Sequence, residues 1–387
     1  MSDAGRSRRL VRPLFWLTVT VLAIAAPLSL TSFWLQTGLF AMAAAIGAIG
    51  LTLLVGVTGQ LSLGHAFFVA IGAFGYAFLA GSSDRHLVGF HLPPALAAVG
   101  AVALAAGAGA LFSPIAGRLR GIYLGLASLG LVFLGQHILY NAAPVTGGYN
   151  GRDVAPFELF GFSFTSTNPE LSIFRVPYGA LERLWYLGLV LVVVGYWYAR
   201  NVTNGRPGRA LVGVRDSEIA AGVMGVNVAR YKAAAFTVSS AYAGLAGVLL
   251  ALAFGRIVPD SFGFVLSIDF LAMIILGGLG SFGGAIAGAV LVTALPLVLS
   301  HYSDSIPFLA APGESGVGAA ELARLMYGAA VVAVLLFAPG GLKPLLRLYP
   351  LVQKEPSYEP KSPGPGSSAV PGPDRVQQGN AQQPTNG

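Results

Sequence analysis

The sequence predicts an all-α polytopic membrane protein of about ten transmembrane helices, two of them short or re-entrant, in two pseudo-repeat halves. Three observations carry this prediction. Of the 387 residues, 55% are hydrophobic and 10% are charged, against about 25% charged in soluble domains. The mean hydropathy is +0.71. Pro13 to Ser83 contains no Asp, Glu, Lys or Arg, long enough for three crossings at about 20 residues each.

The elements follow from where this apolar sequence is interrupted. Breaks near Ser32 and within GVTGQLSLGHAFF (56–68) give helices at about 14–31, 38–57 and 64–81. The first follows Arg6, Arg8, Arg9 and Arg12 but outruns a signal peptide, so it is expected to be retained. Asp84 to His91 is a polar turn. Pro93–Gly117 and Gly121–Asn141 are the fourth and fifth helices. The polar loop 142–183 contains PFELFGFSF, whose alternation allows a short hairpin. Leu184–Ala199 is a short sixth helix with aromatic ends, the loop 201–232 is charged, and Ala233–Phe254 is the seventh. Phe270 to Ser303, again uncharged, is split by GGLGSFGG (277–284) into two short helices that either cross twice or re-enter. The last helix spans about 322–338. The segment 355–387 is rich in Pro, Gly, Ser and Gln and is expected to be a disordered tail.

Charge placement orients the chain. With residues 1–13 as a basic cytoplasmic N-terminus, every Lys and Arg of the 23 lies in a cytoplasmic segment except Arg85, Arg152, Arg175, Arg183, Arg256 and Arg324. This bias follows the positive-inside rule and puts both termini in the cytoplasm.

Two glycine-broken segments are the pathway or gate candidates: Gly59, Gln60, Ser62, Gly64 and His65 in the first, Gly277, Gly278, Gly280 and Ser281 in the second. Glycines weaken helix continuity, and lipid cannot satisfy the freed backbone groups. Such a break must be buried in protein or line a cavity, as in transporters with discontinuous helices. The plainer alternative is two tight turns, with Gln60 and Ser62 capping the third helix. His65 and His137 read as packing histidines and Asp269 as a helix cap, although ionisable groups at membrane depth are also functional candidates. Gly280, Gly284 and Gly288, and Gly121 with Gly125, have the four-residue spacing of close helix packing.

In GRPGRALVGVRDSEIAAGVMGVNVARYK (205–232), Leu211, Val214, Ile219, Val223 and Val226 recur at helical spacing. They suggest an amphipathic helix outside the bilayer, with Ser217 as its N-cap. The run Glu218-Ile219-Ala220-Ala221 followed by Gly225 resembles the EAA…G coupling loop of ABC importer permeases. The wider pattern, with GQLSLGHAFF (59–68), LRGIYLGLASL (119–129), TGGYNG (146–151) and ILGGLGSFGGAIAGA (275–289) in order, resembles the M-type permease of branched-chain amino acid importers over about residues 35 to 345.

That resemblance implies a permease domain at 14–345 in the bacterial inner membrane. It implies a periplasmic loop at 142–183 and a cytoplasmic coupling loop at 201–232. Arg215, Asp216, Glu218, Ala220, Ala221 and Gly225 would meet an ATPase. The implied partners are a homologous second permease subunit, two cytoplasmic ATP-binding subunits and a periplasmic substrate-binding protein, besides membrane lipid; no nucleic acid is expected. Urea or short amides are alternative substrates within the family. A self-sufficient secondary transporter is the rival class, with only Asp269, His65 and His137 to couple an ion.

The chain has no cysteine and no Gly-Lys dipeptide. Thiolate chemistry and the phosphate-binding loop of an ATPase are therefore excluded. No catalytic residue, metal or cofactor of its own is expected, ATP being used by the partners. On this reading Glu218→Lys abolishes uptake while membrane insertion is kept, which transport assays and membrane fractionation on the same cells check.

Overall fold

In the computed structural model, the described residues are 23–83, 87–119, 121–159, 161–164, 171–173, 176–302 and 318–337. Contacts divide the chain into Met1–Leu351 and Val352–Gly387. The second unit, with the predicted tail at 355–387, lies outside the described residues, as do the N-terminal segment 1–13 and most of the predicted first helix.

The first long helix is α1 (Ser32–Leu51), which continues as a π-helical turn, Thr52–Val57. It is followed by α2 (His65–Ala80), α3 (Pro94–Arg118) and α4 (Ile122–Asn141). Pro94 opens α3, where its missing N–H costs nothing. After the 142–183 loop come α5 (Ala180–Asn204), the short pair α6 (Arg206–Asp216) and α7 (Glu218–Val223), and the long α8 (Val228–Phe254). The chain then forms α9 (Phe264–Gly277), α10 (Phe282–His301) and α11 (Ala319–Phe337). Among the described residues six helices are long and apolar enough to cross a membrane, and α2 and α9 are shorter apolar helices.

The core is built around two helices. The most apolar windows of Ser32–Val57 and of α8 are 83% and 78% buried, while those of α3, α4, α5 and α10 are 22–33% buried. Helix α8 packs on α3, α2 and α1, and α1 packs in turn on α10 and α5. Lipid gives apolar side chains no reason to leave it, so these contacts rely on close backbone approach. A Cβ on Gly72 would strike the backbone of Gly244 (Cα 2.5 Å), and one on Gly247 would lie 2.9 Å from the amide nitrogen of Ala73. Gly288 is held as closely, 2.9 Å from the Met273 carbonyl carbon, and Gly284 lies against Gly277, so two of the three spaced glycines pack α10 on α9 while Gly280 lies in the turn between them. Gly121 does not: it starts α4 at φ +54 and faces open space.

The end opposite α6 and α7 carries short antiparallel strands. β1 (Arg152–Asp153) pairs with β6 (Arg256–Ile257), tying the 142–183 loop to the α8–α9 connection. β2 (Glu158–Leu159) and β3 (Phe162–Ser163) form the hairpin expected in PFELFGFSF, and β4 (Leu171–Ile173) pairs with β5 (Val176–Tyr178). Arg152 is buried and donates to the carbonyls of Val88 and Val145, at 2.7 and 2.8 Å.

The structure moves several predicted boundaries for one reason: hydropathy marks the lipid-facing part of a helix, not its ends. The second helix starts at Ser32 rather than near residue 38. The sixth reaches from Ala180 to Asn204 rather than 184–199; at its start the charged Arg183 is tolerated because its guanidinium is buried and donates to the Ser163 carbonyl at 2.8 Å. The seventh starts at Val228 rather than Ala233. Asp269 is not a cap; it lies inside α9, bonded to Tyr327 of α11. The α-helical hydrogen-bond ladder also fails one turn earlier than the glycines alone imply, at Thr52.

Gly247→Ala should cost about 1–3 kcal/mol through overpacking and lower the melting temperature of the purified protein in detergent. Gly107→Ala, in α3 with nothing within 4 Å, should leave it equal or higher, since alanine is the better helix former by up to about 1 kcal/mol.

Candidate functional site

The first break begins where α1 changes to a π-helical turn. Its carbonyls find replacement donors one by one. The Leu54 carbonyl accepts from the Thr58 hydroxyl and from the Gln60 amide nitrogen at 3.2 Å; that of Val55 accepts from the Gly59 nitrogen at 3.2 Å. The Gly56 carbonyl accepts from Arg215 of α6 at 3.1 Å. Gly59 has φ +71, and a Cβ there would stand 2.8 Å from the Arg215 Cγ, so the arginine stem lies along the glycine. Glycine is required twice over at this position, for its left-handed backbone and for this approach.

Downstream, Leu63 donates its N–H to the Ser128 hydroxyl of α4 at 2.8 Å, and Gly64 donates to Ser62 at 3.3 Å. Helix α2 then starts without a side-chain cap from its own sequence. The Ala66 N–H is met instead by the Ser267 hydroxyl of α9, at 3.0 Å. Ser267 and Ser128 are both buried. Gln60, expected as a cap, instead donates its side-chain amide to Thr58 (3.0 Å) and to the Lys232 carbonyl (3.4 Å). His65 is buried edge-on against Phe270, ring centroids 4.7 Å apart, beside Gly47.

The second break is more local. Gly278 (φ 94) and Gly280 (φ 81) make the turn after α9. Gly278 N–H bonds the Ile275 carbonyl at 3.0 Å and Ser281 N–H the Gly278 carbonyl at 3.1 Å. The Ser281 hydroxyl caps α10 by accepting from Gly284 at 3.2 Å. Gly277 and Gly284 touch backbone to backbone.

The two breaks meet. A Cβ on Gly56 would sit 2.8 Å from the Cα of Gly280. Segments more than two hundred positions apart thus close on each other through bare backbone.

The loop 201–232 lies against the first break. It does not form one amphipathic helix: α6 ends at Asp216, and Ser217 caps a separate α7 by accepting from Ala220 at 3.2 Å. The apolar residues divide accordingly. Leu211 and Val214 of α6 are buried, whereas Ile219, Val223 and the following Met224 are 78%, 85% and 83% exposed. Of the residues expected at a docking surface, Asp216, Ala220 and Gly225 are exposed and Ala221 is buried. Arg215 reaches inward to Gly56, and Glu218 forms an ion pair with Lys232, whose side chain is 5% exposed. Ser128 and Ser267 had no signal of their own in the sequence. Lys232 alone could have been suspected, as a lysine at the mouth of an apolar helix.

Asp269 and His137, the other ionisable candidates, bond to residues outside the two breaks. Asp269 bonds Tyr327, and His137 is exposed on α4 within reach of Asn141. A groove of about 760 Å³ between α2, α3 and α4 is lined by apolar residues such as Phe67, Phe74, Leu104 and Ile138. Its one polar side chain, Thr146, is satisfied by the Leu139 and Ala142 carbonyls.

Residues 34–335 match the model of the family described as branched-chain amino acid transport system / permease component. The chain is 32% identical, over 86% of its length and 75% of the relative's, to the high-affinity branched-chain amino acid transport system permease protein LivM of Salmonella typhimurium. It is 27% identical to the ribose import permease protein RbsC of Escherichia coli, over 68% of this chain and 74% of that one. It is 26% identical to LivH of Salmonella typhimurium, a permease protein of the same high-affinity branched-chain amino acid system, over 67% and 82%. No solved structure matches.

Proposed function

The chain belongs to the family of branched-chain amino acid transport system permease components, and from that premise we propose that it is the membrane-spanning subunit of an ATP-driven importer for branched-chain or related hydrophobic amino acids. The observation that carries the reading is the contact between the Gly56 and Gly280 breaks directly beside the α6–α7 loop. On this reading the two breaks are the inner gate, facing the cytoplasm, and the chain sits in a bacterial inner membrane. Its partners are a homologous permease subunit, two ATP-binding subunits and a substrate-binding protein, the last meeting the end that carries β1 to β6. The relatives named for branched-chain amino acids support that substrate class over urea or amides.

The docking face follows from exposure. Ile219, Val223 and Met224 present an apolar patch next to Ala220 and Gly225, and small residues beside an apolar anchor let a partner approach closely. Because Glu218 pairs with buried Lys232, Glu218→Lys would set two like charges together at the base of α8 and so disturb the loop itself rather than the docking face alone.

Val223→Asp should keep membrane insertion and lose co-purification of the ATPase. With the complete importer in proteoliposomes, ATP-driven leucine uptake should fall to background. Unchanged co-purification and uptake would remove α7 from the docking role. Uptake driven by a proton gradient without ATP would favour a secondary transporter, and uptake of urea but not leucine would move the substrate class.

A further inference from the structure

We propose that Arg215 is a positioning residue that latches the inner gate shut, holding the Gly56 carbonyl in place against the Gly280 turn until α6 and α7 move. This rests on reading α7 as the helix that meets the ATPase. Three features support it. The Gly56 carbonyl is held by a charged donor from 159 positions away, at 3.1 Å, and a guanidinium bond to a carbonyl is stronger than a neutral one. The arginine stem lies on Gly59, whose lack of a side chain makes room for it. The same loop is tied to the break a second time: Glu218, in the first turn of α7, pairs with Lys232, whose carbonyl accepts from Gln60. Both tethers therefore end within residues 56–60, and both start within four residues of the Ser217 cap that joins α6 to α7.

The arrangement can release. The Arg215 side chain is 44% exposed, so a shift of α6 can carry it into water, where its charge loses nothing. Its other partner is the neighbouring carboxylate of Asp216, at 3.2 Å, which travels with it. The Gly56 carbonyl would lose its donor at that moment. Gly56 and Gly280 carry no side chains that interlock, so parting them meets no steric barrier. Lysine would be a poor substitute, because one ammonium lacks the planar fork and the stacked stem that reach carbonyl and glycine together.

The absence of cysteine makes a direct test possible. Thr52→Cys gives this chain its one thiol, at a fully buried position at the start of the π-helical turn, and labelling is read on this chain alone. Its reaction with a membrane-impermeant maleimide is followed in inside-out vesicles carrying the assembled importer, without nucleotide. In that background Arg215→Ala should raise the labelling rate at least about tenfold, the shift that about 1.4 kcal/mol produces, with unchanged melting temperature. Arg215→Lys should fall between alanine and the parent. Val223→Asp, which detaches the ATPase without touching the latch, should leave the thiol protected. An unchanged rate in Arg215→Ala, or an equal rise in Val223→Asp, overturns the latch. If the alanine variant does not insert, Arg215→Gln, of similar length and neutral, takes its place: a comparable rise supports the latch and an unchanged rate overturns it. The labelling is independent of what is carried, so absence of leucine uptake would count against the transport reading and leave the latch standing.

Discussion

A backbone carbonyl inside a membrane must have a donor, and this requirement shapes the end of the molecule that carries α6 and α7. Helix α1 gives up its regular hydrogen-bond ladder at Thr52. From there the carbonyls of Leu54, Val55 and Gly56 are met by the Thr58 hydroxyl, the Gly59 and Gln60 amides and the Arg215 guanidinium. The same rule governs the start of α2, where Ser267 and Ser128, from α9 and α4, supply acceptors for N–H groups that the local sequence leaves open. Two other helices, α4 and α9, and the loop are thus fixed relative to one break by what the break lacks. Each unmet buried group would cost about 1–3 kcal/mol, so these contacts decide where the elements sit.

Close packing is the companion requirement. The hydroxyls and the guanidinium reach their targets only because neighbouring backbones approach through glycine: Gly64 against Ser128, Gly59 against Arg215, Gly56 against Gly280. In the core the same device joins α2 to α8 at Gly72, Gly244 and Gly247. A membrane interior offers no hydrophobic gain for pushing leucine against leucine, so van der Waals contact at small residues replaces it.

What the sequence disclosed follows from this. The apolar helices of the described residues, the hairpin in PFELFGFSF, the Ser217 cap and the glycine breaks are local properties of composition or spacing, and they were legible. The meeting of Gly56 with Gly280 was not, since each glycine looks the same whether it turns a chain or receives another backbone. Nor was the reach of Arg215: its neighbours Asp216 and Glu218 read as one charged surface, while the structure sends Arg215 to a carbonyl and Glu218 to a buried lysine. The periodic residues of 205–232 misled for a related reason. Period alone joins Leu211 to Val223, but the Ser217 cap interrupts the helix between them, and the later apolar residues turn to the outside.

The two breaks are satisfied in different ways, and that difference bears on which one moves. The second is self-contained. Its turn is closed by Gly278, Ser281 and Ile275 among themselves, and α10 is capped by its own Ser281. These bonds draw on no residue of the 201–232 loop. The first break draws a donor from Arg215 and offers one, through Gln60, to the Lys232 carbonyl. A displacement of α6 and α7 therefore changes the hydrogen bonding of the first break and leaves these bonds of the second intact. On the gate reading, the second break is the fixed jamb and the π-helical end of α1 is the part that opens. A π-helical turn suits that part, because its wider ring already lacks the regular ladder that a straight α-helix would have to break before it could bend.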